Sequence, residues 1–326
     1  MKYFVTGATG FVGGRLTRQL AAAGHKVIAL VRSPSKADDL AKRGVHLIAG
    51  DVTDRDSMRA PMRDVDGVFH VAGWYKIGVR DTRPGRATNV DGTRNVLELM
   101  RELGVAKGVY TSTLAVNSDT HGVLVDESYR YHGPHLSEYD RTKALAHDVA
   151  ETFARRGLPL VIVQPGLIYG PGDAGPSHDL LVNYLKRKLP VVPRRTAFCW
   201  AHVDDIANGH LRAMELGRAG ENYYVCGPPH TLVDALAIAE RLTGVPAPRV
   251  TVAPALLKAM STLMRPIERV VPVPANYSSE YLRVSAGVTY IGSNAKARAT
   301  LGWIPRDLET GLAETLEHEK ATLGPR

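Results

Sequence analysis

The sequence has few cysteines, and it lacks long uninterrupted hydrophobic runs. Only two of its 326 residues are cysteines, Cys199 and Cys226, and they show no metal-ligand spacing. This count argues against a disulfide framework and favours a reducing compartment, which we expect to be the cytoplasm. The apolar stretch at residues 158–169 is interrupted by Pro165 and Gly166, so the sequence predicts no membrane span.

Positive charge is in excess, but it is not concentrated in one tract. The chain has 41 lysines and arginines against 33 aspartates and glutamates, a formal net charge of +8. These residues are dispersed among helices that also carry acidic residues. The pattern favours a solvated basic surface over a nucleic-acid-binding surface. An anionic small molecule is the simpler partner to infer. Because the first predicted strand begins at Lys2, we expect no removable leader.

The start of the chain carries a strand, a glycine-rich turn and a helix. Residues 2–14 read KYFVTGATGFVGG, and an apolar helical pattern occupies residues 11–23. In a dinucleotide fingerprint, Gly7 permits the tight turn, Gly10 lets a pyrophosphate approach the backbone, and Gly13 lets the helix pack close to the strand. The free N–H groups and the dipole of the helix then face the phosphates. A glycine-rich turn without a ligand is the alternative.

The residue after the second predicted strand, at residues 27–31, indicates which dinucleotide binds. In the fingerprint an acidic residue about twenty positions on holds the ribose 2′-hydroxyl. This chain has Arg32 there, followed by Lys36, with no carboxylate before Asp38. A carboxylate would repel a 2′-phosphate, whereas an arginine binds it through its planar set of donors. The sequence therefore favours NADP(H), with NAD(H) left open, and a surface arginine at a strand end is the alternative.

Strands and helices alternate as far as Gln164, which predicts an α/β fold with a Rossmann-type, doubly wound, mostly parallel sheet. The remaining predicted strands and helices of this half span residues 45–49, 67–71, 87–103, 107–111, 137–156 and 160–164. The second half is less regular and predicts a smaller mixed C-terminal lobe that binds substrate. We expect residues 1–165 to form the NADP-binding domain, with 196–226 returning to it. Residues 166–195 and 227–326 then form mainly the substrate lobe.

Two predicted strand ends offer further contacts for a cofactor. Asp51 follows the third strand, where it can accept a hydrogen bond from an adenine amino group or cap the next helix, for which Asp54 is the better candidate. Ala72 and Gly73 follow the fourth strand, and their small size lets a cofactor lie against the backbone. The next loop, residues 74–86, carries four basic residues and is either a substrate lid with a basic face or a solvated loop.

Tyr139 and Lys143 are four residues apart on a predicted helix, so their side chains project from one face. Tyrosine ionises at about pH 10, and a lysine ammonium one turn away would favour the phenolate and make the tyrosine a usable proton donor or acceptor. Thr113, or its neighbour Ser112, ends a strand and can hydrogen-bond the reacting oxygen. The pattern predicts hydride transfer between a carbonyl or carbinol carbon and nicotinamide, with Tyr139 handling the proton. An exposed helix face is the alternative.

As an ordered set, these motifs resemble the extended short-chain dehydrogenase/reductase family, also called NAD-dependent epimerase/dehydratases. The matching segments are TGATGFVG (6–13), GDVTD (50–54), HVAG (70–73), NVDGTRNVLE (89–98), TSTLAV (111–116), YDRTK (139–143), QPGLIYGPGD (164–173) and HVDDIA (202–207). Within the family the chain looks most like the dihydroflavonol-4-reductase-like branch, with kinship to 3β-hydroxysteroid dehydrogenases. This rests on Arg32 and on the tail IGSNAKARATLGWIPR at residues 291–306.

The resemblance implies roles for individual residues. Thr113, Tyr139 and Lys143 take the family's catalytic positions, and Asn89 matches a helix asparagine with a supporting role. The positions implied to contact the cofactor are Gly7, Thr9, Gly10, Phe11, Val12, Gly13, Arg32, Lys36, Asp51, Val52, Ala72, Gly73, Lys143 and Pro165. The helix with Tyr139 often pairs with its copy in the family, which implies a homodimer, although its apolar residues fit simple core packing equally well.

Two departures from the family pattern bear on the substrate. Gln164 stands where the family usually has an arginine before Pro-Gly. Phe198 stands near the place where UDP-sugar epimerases carry a diphosphate-binding arginine, although Arg194 and Arg195 are close. The leading interpretation is an NADP(H)-dependent oxidoreductase that reduces a small carbonyl compound with a hydrophobic body, or oxidises the matching alcohol. The alternatives are a nucleotide-sugar epimerase or dehydratase with tightly held NAD(P), and a non-catalytic NADPH sensor, against which the tyrosine–lysine pair argues.

The expected partner is therefore a small molecule, without nucleic acid and without a metal. His121, His132 and His135 resemble a loop of solvated histidines, because no carboxylate or cysteine completes a metal-ligand spacing. Five aromatic residues are candidates for pocket walls, or for plain core: Trp74, Tyr75, Tyr169, Phe198 and Trp200.

Overall fold

A computed structural model describes residues 1–324 of the chain. Its strands are β1 (Lys2–Thr6), β2 (Lys26–Val31), β3 (His46–Ala49), β4 (Gly67–His70), β5 (Gly108–Thr111), β6 (Leu160–Pro165), β7 (Leu167–Tyr169), β8 (Val192–Pro193), β9 (Ala197–His202), β10 (Asn222–Val225), β11 (Pro229–Thr231), β12 (Thr251–Val252) and β13 (Thr289–Tyr290). Its α-helices are α1 (Phe11–Ala22), α2 (Asp38–Lys42), α3 (Arg55–Arg59), α4 (Arg83–Arg86), α5 (Gly92–Glu102), α6 (Glu138–Arg155), α7 (Pro176–Leu185), α8 (Val203–Leu216), α9 (Leu232–Thr243), α10 (Pro254–Val270), α11 (Ser279–Val284), α12 (Ala295–Leu301) and α13 (Leu308–Leu323).

Seven strands form one parallel sheet in the order β3-β2-β1-β4-β5-β6-β10. In the central strand, Val5 is opposite Ala29 of β2 on one side and Phe69 of β4 on the other. Apolar side chains of α1 and α8 pack on one face of the sheet, and those of α5 and α6 pack on the other. All of β6 is buried, because a parallel sheet covered on both faces places every residue in the core. The predicted Rossmann-type α/β fold is confirmed.

The second half of the chain builds smaller sheets and also returns to the main one. Strand β9 pairs with β7, β11 and β13, and β8 pairs with β12. Strand β10 extends the main sheet beside β6, with Tyr223 opposite Val163. A separate apolar cluster, which includes Tyr169 and Trp200, packs residues of α7, α9 and α13 together. The division into two domains at the predicted boundaries stays a prediction.

Two segments differ from the sequence-based expectation. The predicted helix at residues 87–103 is a π-helical turn at Ala87–Asp91 followed by α5, because the chain accommodates one extra residue in that turn. Helix α10 has no counterpart in the prediction, although its apolar residues recur at helical spacing; Pro266 stands inside it, where a proline usually ends a helix. Within residues 1–324, no helix combines the length and apolar character that crossing a membrane requires.

The turn after β1 depends on glycine at two positions. Gly7 has a φ of 73°, a left-handed conformation that favours glycine. A Cβ on Gly13 would lie 2.1 Å from the Gly7 carbonyl oxygen, so α1 can begin against this turn only if residue 13 has no side chain. The same contact sets the distance between β1 and α1.

A matched pair of glycine substitutions tests this contact. Both Gly13→Ala and Gly14→Ala improve helix propensity, but a Cβ on Gly14 meets its nearest neighbour, the Ala8 carbonyl oxygen, at 3.4 Å, an ordinary contact. We expect Gly13→Ala to lower the free energy of unfolding by about 1–3 kcal/mol through overpacking and Gly14→Ala to leave it unchanged or slightly raised, as measured by urea unfolding. Equal stability of the two variants would contradict this account.

Candidate active site

The turn after β1 and the chain after β4 form a cradle lined by backbone. A Cβ on Gly7 would lie 2.6 Å from the Ala72 nitrogen, so the two segments touch without intervening side chains. Helix α1 begins after Gly10 without a side-chain cap or an acidic residue in its first turn, which leaves its N–H groups and dipole available to an anion. Phe11 and Val12 are half-buried in that turn, and Thr9 is exposed beside it. This cradle fits the pyrophosphate of a dinucleotide.

Residues at the ends of the neighbouring strands lie along the same edge of the sheet. Arg32 and Lys36 follow β2 and are exposed. Gly73 is exposed after β4, and Pro165 ends β6 with its side chain buried. Because the carboxyl ends of parallel strands meet at one edge, the structure brings these predicted cofactor positions to the side of the sheet where nucleotides bind.

Asp51 and Val52, after β3, have local structural contacts. The Asp51 Oδ1 accepts hydrogen bonds from the nitrogen and the hydroxyl of Thr53, at 2.9 and 2.8 Å. Val52 is buried and lies against Gly92, where a Cβ would come within 2.7 Å of its side chain. Helix α3 is capped by Asp54, as the sequence predicted. The Asp51 carboxylate therefore stabilises its own turn, and its predicted contact with a cofactor stays a prediction.

The catalytic lysine candidate is buried between α6 and β5. The Lys143 ammonium donates to the Thr111 carbonyl oxygen at 2.7 Å and to the Tyr110 hydroxyl at 3.3 Å, and it lies 5.0 Å from the centre of the Tyr110 ring. Burial lowers the pKa of Lys143 to about 7, because removing an ammonium from water disfavours its charged form. The lysine therefore keeps only part of its positive charge at neutral pH.

Tyr139 precedes Lys143 by one turn, on the same face of α6. Burial raises the pKa of Tyr139 to about 12, and the nearby Thr113 side chain offsets part of this increase. The structure therefore brings Thr113 and Tyr139 together as predicted. The expected lowering of the tyrosine pKa by the lysine is not observed, since the buried lysine is itself only partly charged and desolvation of the phenolate dominates.

Gln164, which replaces the family's arginine, lies beside the threonine. Its side-chain nitrogen donates to the Thr113 carbonyl oxygen at 3.5 Å, and the Thr113 hydroxyl accepts from the Ala115 nitrogen at 3.2 Å. Thr113 is thus fixed at the end of β5 by a neutral partner from β6.

Asn89 lies in the π-helical turn and uses its amide to join two elements. Its Oδ1 accepts from the Trp74 nitrogen at 2.7 Å, and its Nδ2 donates to the Trp74 carbonyl oxygen and to the Thr142 hydroxyl, both at 3.0 Å. The side chain therefore ties the loop after β4 to the catalytic helix. π-Helical turns often occur at functional sites, and here the turn aims this amide into the space between the two elements.

A chain of buried hydrogen bonds that the sequence analysis missed connects the first strand to Lys143. The Thr6 hydroxyl contacts the His70 Nδ1 at 2.8 Å, and the His70 Nε2 contacts the Thr93 hydroxyl at 3.0 Å. The Thr93 side chain lies close to the Tyr110 hydroxyl, which contacts Lys143. Burial, with a contribution from the lysine charge, lowers the pKa of His70 to about 3, so the imidazole is neutral. Both His70 and Thr93 lie within the segments that carried the family resemblance, which was the only signal for them.

The basic loop at residues 74–86 is attached to the C-terminal half. The Gly78 nitrogen donates to the Glu280 carboxylate, which also accepts from the nitrogen of Glu138 at the start of α6. The Arg80 guanidinium donates to the Glu268 carbonyl oxygen at 3.1 Å. The loop is therefore anchored at its centre to α10 and α11, while its basic side chains are exposed.

The aromatic residues proposed as pocket walls separate into two groups. Tyr169 and Trp200 are 1% and 2% exposed inside the cluster formed with α7, α9 and α13, so for these two the expectation of a pocket wall is wrong and the core alternative is correct. Phe198 is half-buried and stacks on Tyr290 at 5.8 Å between ring centres. The Tyr290 hydroxyl donates to Asp140, the residue after Tyr139, at 2.9 Å.

Potential metal ligands come together at a place away from the loop of histidines described above. Within residues 1–324, His202, Asp204 and Glu314 place one ligand atom each within 4.8 Å of one another. The Arg306 guanidinium donates to Glu314 at 2.7 Å, and this ion pair occupies the carboxylate that a cation would need.

Comparison with known proteins identifies the family. The profile of the NAD dependent epimerase/dehydratase family matches residues 3–227, and the chain belongs to this family. It is 34% identical to sterol demethylase protein B of Methylococcus capsulatus, over 97% of each chain. A Synechocystis protein named, provisionally, a dihydroflavonol 4-reductase is 35% identical over 77% of this chain and 75% of its own. The crystal structure of the protein gox2253 superposes with a TM-score of 0.84 at 30% identity, covering 97% of each chain.

These similarities confirm the predicted family and its dihydroflavonol-4-reductase-like branch. The chain is an enzyme, an NAD(P)-dependent short-chain dehydrogenase/reductase of the extended type. We therefore propose the cradle after β1 and the row of strand ends as its nucleotide-binding edge.

The buried lysine gives the stability of the protein a specific pH dependence. Lys143 has a pKa of about 7 in the folded protein against 10.5 for an unperturbed lysine. Between these values the unfolded chain binds a proton that the folded chain does not, so stability rises with pH. Relative to Lys143→Met, we expect the wild type to gain up to about 4 kcal/mol between pH 7 and pH 10, measured by urea unfolding at several pH values.

The control for this measurement is Lys42→Met, at an exposed lysine for which the same pH series should run parallel to the wild type. If Lys143→Met also ran parallel, the ammonium would not be desolvated in solution.

Proposed function

We propose that this enzyme is an NADP(H)-dependent reductase that converts a small carbonyl compound with a hydrophobic body into the matching alcohol, or catalyses the reverse. The observation that carries the proposal is the grouping of Thr113, Tyr139 and Lys143 at the carboxyl end of β5. This grouping lies on the sheet edge that also carries the glycine-rich cradle. The word reductase in the name of the Synechocystis relative agrees with this chemistry.

The residues support reduction through a positioned proton donor. When bound, the nicotinamide supplies or accepts a hydride. With a pKa of about 12, Tyr139 carries its proton at neutral pH, so its hydroxyl is ready to donate to the oxygen of a carbonyl that becomes an alkoxide. The Thr113 hydroxyl stabilises the same oxygen by a second hydrogen bond. Lys143 holds the end of β5 against α6, and Asn89 keeps the loop after β4 in place beside them.

The preference for NADP(H) rests on the charge after β2. Arg32 and Lys36 are exposed there, where a 2′-phosphate on the adenine ribose would accept charge-assisted hydrogen bonds from their side chains. No carboxylate stands between them in the sequence, so the usual repulsive element against the phosphate is missing.

Reversing the charge of Arg32 tests the cofactor preference. We expect the wild type to bind NADPH more tightly than NADH, and Arg32→Asp to weaken NADPH binding about 10- to 100-fold, because a charge-assisted hydrogen bond is lost and a repulsion is created. Fluorescence titration with each nucleotide measures both affinities. Arg212→Asp, at an exposed arginine on α8, is the matched control and should change neither affinity. A wild type that prefers NADH would overturn the NADP(H) assignment.

Removing the tyrosine hydroxyl tests the proton donor. Tyr139→Phe should lower kcat for ketone or aldehyde reduction by about 100-fold or more, since general acid catalysis contributes at least this factor, while NADPH affinity stays near the wild-type value. The exposed Tyr277 offers a control, and Tyr277→Phe should retain activity. Unchanged turnover in Tyr139→Phe would show that another group delivers the proton.

The family description also admits epimerase or dehydratase chemistry, which is the second candidate. Such an enzyme retains its nucleotide through the cycle and shows no net oxidation of NADPH, so purified protein that carries unexchangeable NAD(P) and turns over nucleotide sugars would favour it. The predicted homodimer and the cytoplasmic location stay predictions.

A further inference from the structure

Helix α10 exposes a continuous apolar face. The residues of this face, the α10 stripe, are spaced by four, three, four and three positions and are therefore on one side of the helix. They and their exposed fractions are Leu256 (55%), Met260 (39%), Leu263 (67%), Ile267 (45%) and Val270 (83%). At 1.5 Å per residue the stripe is about 21 Å long. Exposed apolar surface of this extent marks an interaction site.

A different face of the same helix packs against the protein. Leu257 is buried against Leu282 of α11, and the Ser261 hydroxyl donates to the Ser279 carbonyl oxygen. The stripe is thus not the buried side of an ordinary amphipathic helix. Helix α10 is held in place by one face and presents a second apolar face outward.

The charges around the stripe are almost all positive. On α10 itself Lys258, Arg265 and Arg269 are exposed. Its one carboxylate, Glu268, accepts hydrogen bonds from the nitrogen and hydroxyl of Ser279 and is turned toward α11. At 100° per residue these three cations lie on the side of α10 opposite the stripe, as on the polar face of an interfacial helix, and the helix has no competing exposed anion of its own.

The basic loop at residues 74–86 adjoins this helix and adds further positive charge to its surface. Arg80 contacts the Glu268 carbonyl oxygen, and a Cβ on Gly78 would lie 2.2 Å from the Ser278 hydroxyl. The exposed basic residues of this loop are Lys76, Arg80, Arg83 and Arg86. Its one acidic residue, Asp81, is paired with Arg83 at 2.9 Å. Both segments lie side by side on the part of the molecule attached to the start of α6.

We propose that the α10 stripe and the basic loop together dock the enzyme on an anionic lipid bilayer, with the stripe inserted at the interface and the cations facing the headgroups. Apolar insertion and attraction to anionic lipid are the two contributions that bind an interfacial helix. A second copy of the chain fits less well, because the basic loops that adjoin the two helices would bring like charges to the interface. An acidic protein surface would satisfy the charges, but a helix on an open face offers no groove that selects one.

Vesicle co-sedimentation tests the proposal without substrate or nucleotide. The full chain should pellet with vesicles of phosphatidylcholine containing about one third phosphatidylglycerol, and should stay in the supernatant with phosphatidylcholine alone. Binding should weaken as salt is raised, since the Debye length shortens. Leu263→Ser combined with Val270→Ser, and separately Arg265→Glu combined with Arg269→Glu, should each weaken binding about tenfold or more.

Matched controls distinguish binding through this surface from non-specific adsorption of the protein to vesicles. Ile304 is 69% exposed and Val123 60% exposed, and their double replacement by serine should leave vesicle binding unchanged, as should Arg212→Glu. All variants alter exposed side chains, and circular dichroism checks that they fold. Absence of binding to anionic vesicles, or equal losses in the stripe and control variants, would overturn the proposal. So would self-association in sedimentation velocity that the stripe variants abolish, since a second copy would then cover the face.

A consequence for the substrate rests on the proposed function and is tested separately. The α10–α11 pair meets the first turn of the catalytic helix through Glu280, so a docked enzyme would hold its Tyr139 side near the bilayer and act on lipophilic carbonyl compounds. Anionic vesicles should then raise the rate with a membrane-dissolved ketone at least severalfold, and leave the rate with a water-soluble ketone unchanged. Binding without this selective stimulation would contradict the substrate class but not the docking surface.

Discussion

Keeping the Lys143 ammonium buried is the constraint on which the site depends. Desolvation of a charged amine is costly, and the structure offsets it with the Thr111 carbonyl oxygen and with the hydroxyl and ring face of Tyr110. The partner groups come from β5, so the lysine fixes α6 against the end of that strand. Tyr110 is in turn held by Thr93 and, through His70, by Thr6. One network of hydrogen bonds thereby sets the positions of three strand ends and the catalytic helix.

Single side chains also connect the segments that enclose the site to α6. Asn89 has both amide groups engaged by Trp74 and Thr142, and Glu280 joins Gly78 to Glu138 with one carboxylate. Each of these side chains connects a loop to α6. The helix that carries Tyr139 is therefore the element to which both halves of the molecule are attached, and small shifts of either half reach the tyrosine directly.

The first half of the chain was predictable because the residues that define its elements are close together in the sequence. A strand, three glycines and a helix are adjacent in the sequence, and buried parallel strands read as apolar runs, so the fold and the grouping of Thr113, Tyr139 and Lys143 followed from short-range patterns. The network through His70 was not predictable from these patterns, since its members are far apart in the chain and meet only through the sheet order. Whether Tyr169 and Trp200 line a pocket or belong to the core was left open, because aromatic residues near a glycine-rich loop look alike in sequence in both cases. Helix α10 was missed although its apolar residues recur at helical spacing, because Pro266 inside it looks in sequence like the end of a helix.

The sheet order also affects how the protein is made. Strand β6 is buried along its whole length between β5 and β10, yet β10 begins at Asn222, so residues 166–221 must leave the ribosome before the edge of β6 has its final partner. At roughly 5–20 residues per second this interval lasts seconds. During that time the nascent chain presents an apolar strand with an unpaired edge, the kind of surface on which chains aggregate. The placement of a late strand beside an early one therefore leaves the edge of β6 open to aggregation until β10 has been made.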